Sequence, residues 1–444
     1  MKKIGIALLA CILSSALCGA GDWSGAGQIE KQISHPVFRN AEYDILDFGA
    51  VGDGISDSRK AITDAIDRCS FEGGGVVRVP SGKFFVKGPL TLKSNVNLRL
   101  DEGSELSFSS DEKDYLPCVL TRWEGTEVYN YSPMIYARGV INVAISGRGV
   151  INANGAANFV GWKARQKPDQ KAIRRMGTEG VPVYRRVFGE GHYLRPSVVE
   201  LVSCSTVALE DFTVRDNSFW CTHLVTCENV TVRNIVVDSE NYNADGCDPE
   251  SCRNVLIEGC RFHAGDDGIA IKSGRDQDGW RMGQPSENII IRDCVFDTPA
   301  NGICIGSEIS GGVRNVFIEN ITVITAKNAI YFKSNLDRGG YITDVVVRNV
   351  TVNHCGGSLI KFDSDYKSES SQHYPTLFRR IRIDGIRAGT VDGAAIDAEG
   401  FADLPISDVE IRDVSVESAG KPDRIVNVED FRLRNVRVAG KPVR

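Results

Sequence analysis

The chain has 444 residues, of which 42% are hydrophobic and 25% charged, and its formal net charge is −6. That apolar share can bury a large core and excludes intrinsic disorder. The acidic balance, without a basic stripe, excludes a general nucleic-acid binder.

In chain order, residues 1–20 (MKKIGIALLACILSSALCGA) combine two lysines, an apolar run and small residues at the end. This is the pattern of a secretory signal peptide, and the run is too short for a membrane span. It predicts export to the periplasm or the exterior, and the protein is expected to be a monomer. Residues 21–40 read as a linker and 41–444 as one domain. Without Cys11 and Cys18, eleven cysteines remain, an odd number that leaves at least one thiol unpaired in a monomer. Next, DSRKAITDAIDRCS (57–70) places Ile62, Ala65, Ile66 and Cys69 on one helical face. Asp57 can cap this helix, and the glycines at 73–75 end it.

From residue 140 onward the chain repeats. VSCSTVALEDFTV (202–214), VTCENVTVRNIVV (225–237) and ESCRNVLIEGCRF (250–262) align, with Cys204, Cys227 and Cys252 in register. Copies continue to ISDVEIRDVSV (406–416), each alternating apolar and polar residues about a polar bend. A repeat of short strands means a solenoid. Leucine-rich repeats would need a Leu-x-x-Leu-x-Leu pattern, which is absent. The expected fold is therefore all-β: a single-stranded right-handed parallel β-helix with the 57–70 helix capping its open end. The cysteine column reads as small core residues in preference to disulfides. Two insertions, at 156–196 and 273–285, break the repeat and are placed to build a binding site.

Asn229, Asn254, Asn288 and Asn315 mark the register, one per coil. Asp245 lies 16 residues after its mark, and Asp266 and Asp267 lie 12 and 13 after theirs, so the three acids fall on neighbouring coils of one face. IAIKS (269–273), ICIGS (303–307) and IYFKS (330–334) are versions of one strand, which puts Lys272 and Lys333 beside the acids. Converging carboxylates repel, so at least one pKa should rise. A raised acid beside an ionised one is the arrangement that cleaves a glycosidic bond. The lysines suit a sugar polymer that carries carboxylates. Taken singly, Gly-Asp-Asp-Gly could be turn residues or calcium ligands.

These strings carry a resemblance to the polygalacturonase family of pectin-degrading glycoside hydrolases. YDILDFGAVGDGISDS (43–58), Asn243-Ala244-Asp245 and Gly265-Asp266-Asp267 resemble its motifs. GCDPESC (246–252), GDDGIAIKSGRDQDG (265–279) and IGSEISGG (305–312) resemble its bacterial exo-acting branch. The resemblance implies an inverting hydrolase with Asp266 as general acid and with Asp245 and Asp267 activating water. Lys333 matches the lysine that grips the substrate carboxylate. The expected substrate-binding set is Asn243, Asp248, Lys272, Arg275, Asn301, Tyr331 and Lys333, with no metal or other cofactor. Two departures stand out. The family's Gly-His-Gly falls where this chain reads Pro-Ala-Asn-Gly (299–302), and the arginine of its Arg-Ile-Lys is Tyr331. Both put plain polygalacturonan in doubt and raise a rhamnogalacturonan-type or branched pectin. Coil spacing alone leaves the stereochemistry open, because directly stacked carboxylates lie at about 5 Å, the retaining range. A pectate lyase or a non-catalytic carbohydrate-binding solenoid are the readings from other classes. For mode of action, the two insertions are expected to wall off one end of the cleft, with Arg195, Arg275 and Arg281 holding a terminal sugar.

Overall fold

The computed structural model describes residues 23–368 and 372–443, and the signal peptide expected at 1–20 lies outside them. The chain is a parallel β-helix. Alternation drives the inward residues of each strand onto those of the next coil. Val207, Val230, Val255, Ile289 and Val316 form one such column, continued by Val345, Ile381 and Val409. β-branched side chains suit this half-buried pleated surface, and nearly all of them are fully buried.

The coil bends carry the asparagine marks. Asn229, Asn254, Asn288 and Asn315 all have φ between 55° and 60°, a left-handed conformation that asparagine tolerates. Their side chains stack as expected: Asn254 donates to Asn229 (3.3 Å), Asn288 to Asn254 (2.9 Å) and Asn315 to Asn288 (3.1 Å). Cys204, Cys227 and Cys252 are buried free thiols in one core column, and the thiol of Cys227 donates to the Leu201 carbonyl (3.2 Å).

The capping helix, α2, spans Arg59–Phe71 and buries Ala61, Ile62, Ala65, Ile66 and Cys69 against the first coils. Asp57 Oδ1 accepts from the backbone N–H of Arg59 (2.9 Å) and of Lys87 (3.0 Å). Gly74 ends the helix at φ 96°, where a Cβ would meet the Asn95 carbonyl oxygen at 2.4 Å.

Two features depart from the expectation. The 21–40 segment is not a bare linker: helix α1 (Ser24–Glu30) packs Ala26 and Ile29 on Leu256, Ile290 and Phe317, which point outward from three successive strands. Glu30 fixes it through Arg292 (2.7 and 3.1 Å). A water-facing strand row that is apolar has to be covered. The second is an antiparallel hairpin, Val119–Trp123 with Thr126–Asn130, joined in parallel by Val187–Phe188. Helix α3 (Lys167–Thr178) lies in the first insertion and α4 (Asp276–Met282) in the second. Among the described residues no helix is long and apolar enough to cross a membrane.

Candidate active site

The second sheet of the solenoid carries the site on its outer face. Its parallel register gives one outward column through ten coils: Tyr136, Glu200, His223, Asp248, Ala270, Cys304, Tyr331, Lys361, Asp397 and Arg424. Lys272, Gly306 and Lys333 fall in line two residues further on. Just before these strands, the N–H of Gly246 donates to the Asp267 carbonyl (3.0 Å), which sets Asp245 against Asp267 one coil later. The separation of 22 residues is thus one turn of the solenoid. Asp245, Asp266 and Asp267 each bring a carboxylate oxygen within 4.8 Å of the other two.

Each acid is held differently. Asp266 is the most accessible. It accepts from Asn243 Nδ2 (3.1 Å) and from the N–H of Asp267 (2.9 Å). The amide of Asn243 is oriented because its oxygen accepts from Lys163 Nζ and from Arg195 Nη2, both at 2.6 Å. Burial, and next the charge of Asp267, raise the Asp266 pKa above the usual carboxylate range. Asp267 is 3% exposed, and its Oδ1 accepts from the backbone N–H of Asn301 (3.1 Å) and from Asn301 Nδ2 (2.5 Å). Lys333 Nζ stands 4.0 Å from its other oxygen. Asp245, also 3% exposed, is pushed well up by burial and then by the charges of Asp248 and Asp266. A carboxylate cluster of this kind would suit a cation, but here lysine ammonium groups stand beside it.

The three acids line a cavity of about 460 Å³ together with Asn243, Lys272, Arg275 and Lys333. Seven lysines and arginines face five carboxyls around it, so the acidic protein is locally cationic where an anionic ligand would sit. Lys272 is buried, with its ammonium 4.5 Å over the Trp220 ring and 3.6 Å from both Asp248 and Glu308. Burial alone would lower the Lys272 pKa, but Glu308 and Asp248 hold it well above the usual value. Burial, with Arg338 and Arg174 close by, brings Arg275 down to about 10.

Several expected contacts prove to be supports that do not line the cavity. Asp248 points outward but is fully buried. Asn301 sits beneath the acids and orients Asp267, while its own oxygen accepts from Asn328 (2.6 Å). Tyr331 is buried with its hydroxyl donating to Asp363 (2.8 Å). Arg195 is 0% exposed, and its guanidinium is spent on Gln166, Asn243 and the carbonyls of Ser218 and Tyr242. Arg281 turns away to Glu127 and Asp278. The lining residues not anticipated include Glu124, Trp220, Glu308 and Tyr366. Glu308 lies in IGSEISGG, so its string was visible although its role was not.

The hairpin and the two insertions form one wall. Glu124 at the hairpin tip accepts from Gln170 (2.9 and 3.0 Å) and Arg174 (2.6 Å) of α3. Asp278 of α4 pairs with buried Arg186 at 3.0 Å and accepts the N–H of Glu127 at 2.9 Å. Under this wall, His223 lies between Glu200 and Glu250 (3.5 and 2.8 Å). Burial disfavours its charge, yet the two glutamates lift it to about 9.

Comparison with known proteins fits this geometry. The model of "Glycosyl hydrolases family 28" matches residues 76–436, and "Rhamnogalacturonase A/epimerase, pectate lyase-like" matches residues 42–102. A hyperthermoactive exopolygalacturonase from Thermotoga maritima superposes with a TM-score of 0.85 at 38% identity, covering 89% of this chain and 93% of that one. A family 28 exopolygalacturonase from Yersinia enterocolitica shares the fold (TM-score 0.72, 22% identity, 91% and 80% covered). A probable polygalacturonase of Vitis vinifera is 28% identical over 396 residues, 86% of this chain and 75% of that protein. The chain belongs to glycosyl hydrolases family 28, the polygalacturonase family of glycoside hydrolases.

Proposed function

We propose that this enzyme is an exported, monomeric exo-hydrolase that removes one sugar, or a short unit, from the non-reducing end of an acidic pectic chain by inverting acid–base hydrolysis. The observation that carries the exo reading is the outward column. Its members before the acids, Tyr136, Glu200 and His223, are buried beneath the hairpin wall, whereas on the other side the column opens after Tyr331: Lys361 and Asp397 are half-buried and Arg424 is exposed. A polymer laid along this face would run into the wall on one side of the acids and could leave only on the other. The cavity, about 460 Å³, is of the size that holds a small ligand. The Thermotoga maritima relative carries the name exopolygalacturonase.

Asp266, accessible and raised, is placed to protonate the leaving oxygen. Asp267 and Asp245 stand behind it as the base pair for water. The short separation of the carboxyls resembles a retaining pair, but both are only 3% exposed, and Asp267 is tied by two donors. A water molecule can reach such carboxylates, while the ring carbon of a bound sugar cannot close to bonding distance. This supports inversion.

The Tyr331 departure removes one positive charge, but the cationic character of the site survives. Lys333 lies 4.4 Å and Lys367 4.8 Å from the Tyr366 ring centre, and Arg275 and Arg338 complete the lining. That favours a uronate over a neutral sugar at the cleft. A time course on polygalacturonate, separated by size, tests the mode of action. Monomer or one short unit should appear from the first minutes while viscosity stays high. An early ladder of mid-sized oligomers with a rapid fall in viscosity would show an open groove.

A further inference from the structure

We propose that Asp245 and Asp248 share a single proton in a buried carboxyl–carboxylate hydrogen bond, with Asp248 the positioning residue that holds the Asp245 carboxylate toward the attacking water. The inference rests on the reading of Asp245 as part of the base. Asp248 is 0% exposed, and none of the described N–H or O–H groups donates to either of its oxygens or to Oδ1 of Asp245. A buried carboxylate left without donors is strongly disfavoured. Lys272 Nζ lies 3.6 Å from Asp248 Oδ1 and is equally committed to Glu308. One ammonium therefore faces more carboxyls than it can neutralise. A proton held between Asp245 and Asp248 supplies the donor that these oxygens lack and removes one negative charge from the cluster.

The surroundings agree. Asp248 is faced by Asp245 from its own loop, by His223 from the coil before, by Lys272 from the coil after, and by Asp267. Burial dominates and pushes Asp248 up to about 7; Lys272 and His223 oppose this without cancelling it. Two interacting carboxyls titrate as a pair, so the retained proton belongs to both. When pH rises and that proton leaves, two buried carboxylates stand side by side and repel, and Asp245 loses its fixed direction.

The test compares Asp248→Asn with Asp248→Ala. The asparagine keeps an N–H donor to Asp245 at every pH. Its activity in mild acid should persist, and the alkaline fall of kcat/KM should change from two ionisations in the wild type to the single one of Asp266. The alanine should lose kcat by roughly 10- to 100-fold, the worth of a hydrogen bond to a charged group, with KM little changed. Infrared spectra of the substrate-free protein at pH 6 read the proton itself, whatever the reaction catalysed. A protonated-carboxyl band should persist in Asp266→Asn and disappear in the double variant Asp266→Asn/Asp248→Asn. If Asp248→Asn fails to fold, persistence of that band in Asp266→Asn, and its loss on titrating through neutrality, decide the matter. Absence of the band in Asp266→Asn, or equal losses and wild-type pH profiles in both Asp248 variants, would mean that Asp248 is an ordinary ionised partner of Lys272 and would overturn the proposal.

Discussion

Asp266→Asn should lower kcat by at least 100-fold and as much as 10,000-fold, the usual contribution of a positioned general acid, while leaving the fold intact. Asparagine keeps the shape and can still meet Asn243 and the Asp267 N–H, but it cannot give a proton to the leaving oxygen. The raised Asp266 also dictates the pH dependence: activity should fall as pH rises through its pKa, because only the protonated form is competent. The variant should lose that dependence along with the rate. KM should move little, because the cations that line the cavity remain. Near-normal turnover by Asp266→Asn would exclude Asp266 as the acid.

Glu308→Gln should be the most destabilising change in the site, costing about 3 kcal/mol, the low end for breaking a buried ion pair from one side. Glu308 lies 3.6 Å from Lys272 and 3.3 Å from Arg275. Burial alone would raise its pKa, but Lys272, Arg338 and Arg275 hold it well below the usual range. Removing the charge leaves those cations desolvated and mutually repelling. Because the folded pKa is depressed, the stability that Glu308 adds is complete above about pH 4.3, the ordinary glutamate value. It is lost only as pH falls through the lowered value. Thermal unfolding at pH 7 should therefore show the variant clearly weaker, with the difference shrinking in strong acid. Activity should fall too, because Lys272 loses one of the two carboxylates that hold it over Trp220. Equal unfolding temperatures at pH 7 would show that the cations are satisfied without Glu308.

How far these features could be read beforehand depends on whether they obey the repeat. The asparagine marks fixed the coil register because each bend places one left-handed residue in the same spot, and the side-chain ladder follows. That register was enough to bring Asp245 beside Asp266 and Asp267, and Lys272 in line with Lys333. The resemblance put Asp248 and Tyr331 among the substrate contacts, and the strand register does place both on the outer face. It could not tell what covers them. Asp248 is fully buried with Asp245, His223, Lys272 and Asp267 about it, and the Tyr331 hydroxyl is taken up by Asp363.

Arg195 shows the same limit. A long cation in an insertion looks like a ligand contact until the carbonyls around it are known. The docking of α1 did leave a trace. Ile289, Ile290 and Ile291 break the alternation, and the middle one points outward onto that helix. Hairpin 119–130 also shows strand-like residues about a Glu124-Gly125 turn, but nothing in its own pattern reveals which coils it will cover.

The central claim is that an exo-acting family 28 site uses Asp266 as acid and a carboxylate-activated water from the opposite face. Proton NMR of a fresh polygalacturonate digest, recorded before the sugars mutarotate, tests the exo action, the attack of water from the opposite face and the hydrolytic chemistry at once. The first signal to grow should be the β-anomer of a released monomer or single short unit, inverted from the α-linkage of the chain. Early appearance of the α-anomer, or of an unsaturated uronate, would contradict the account.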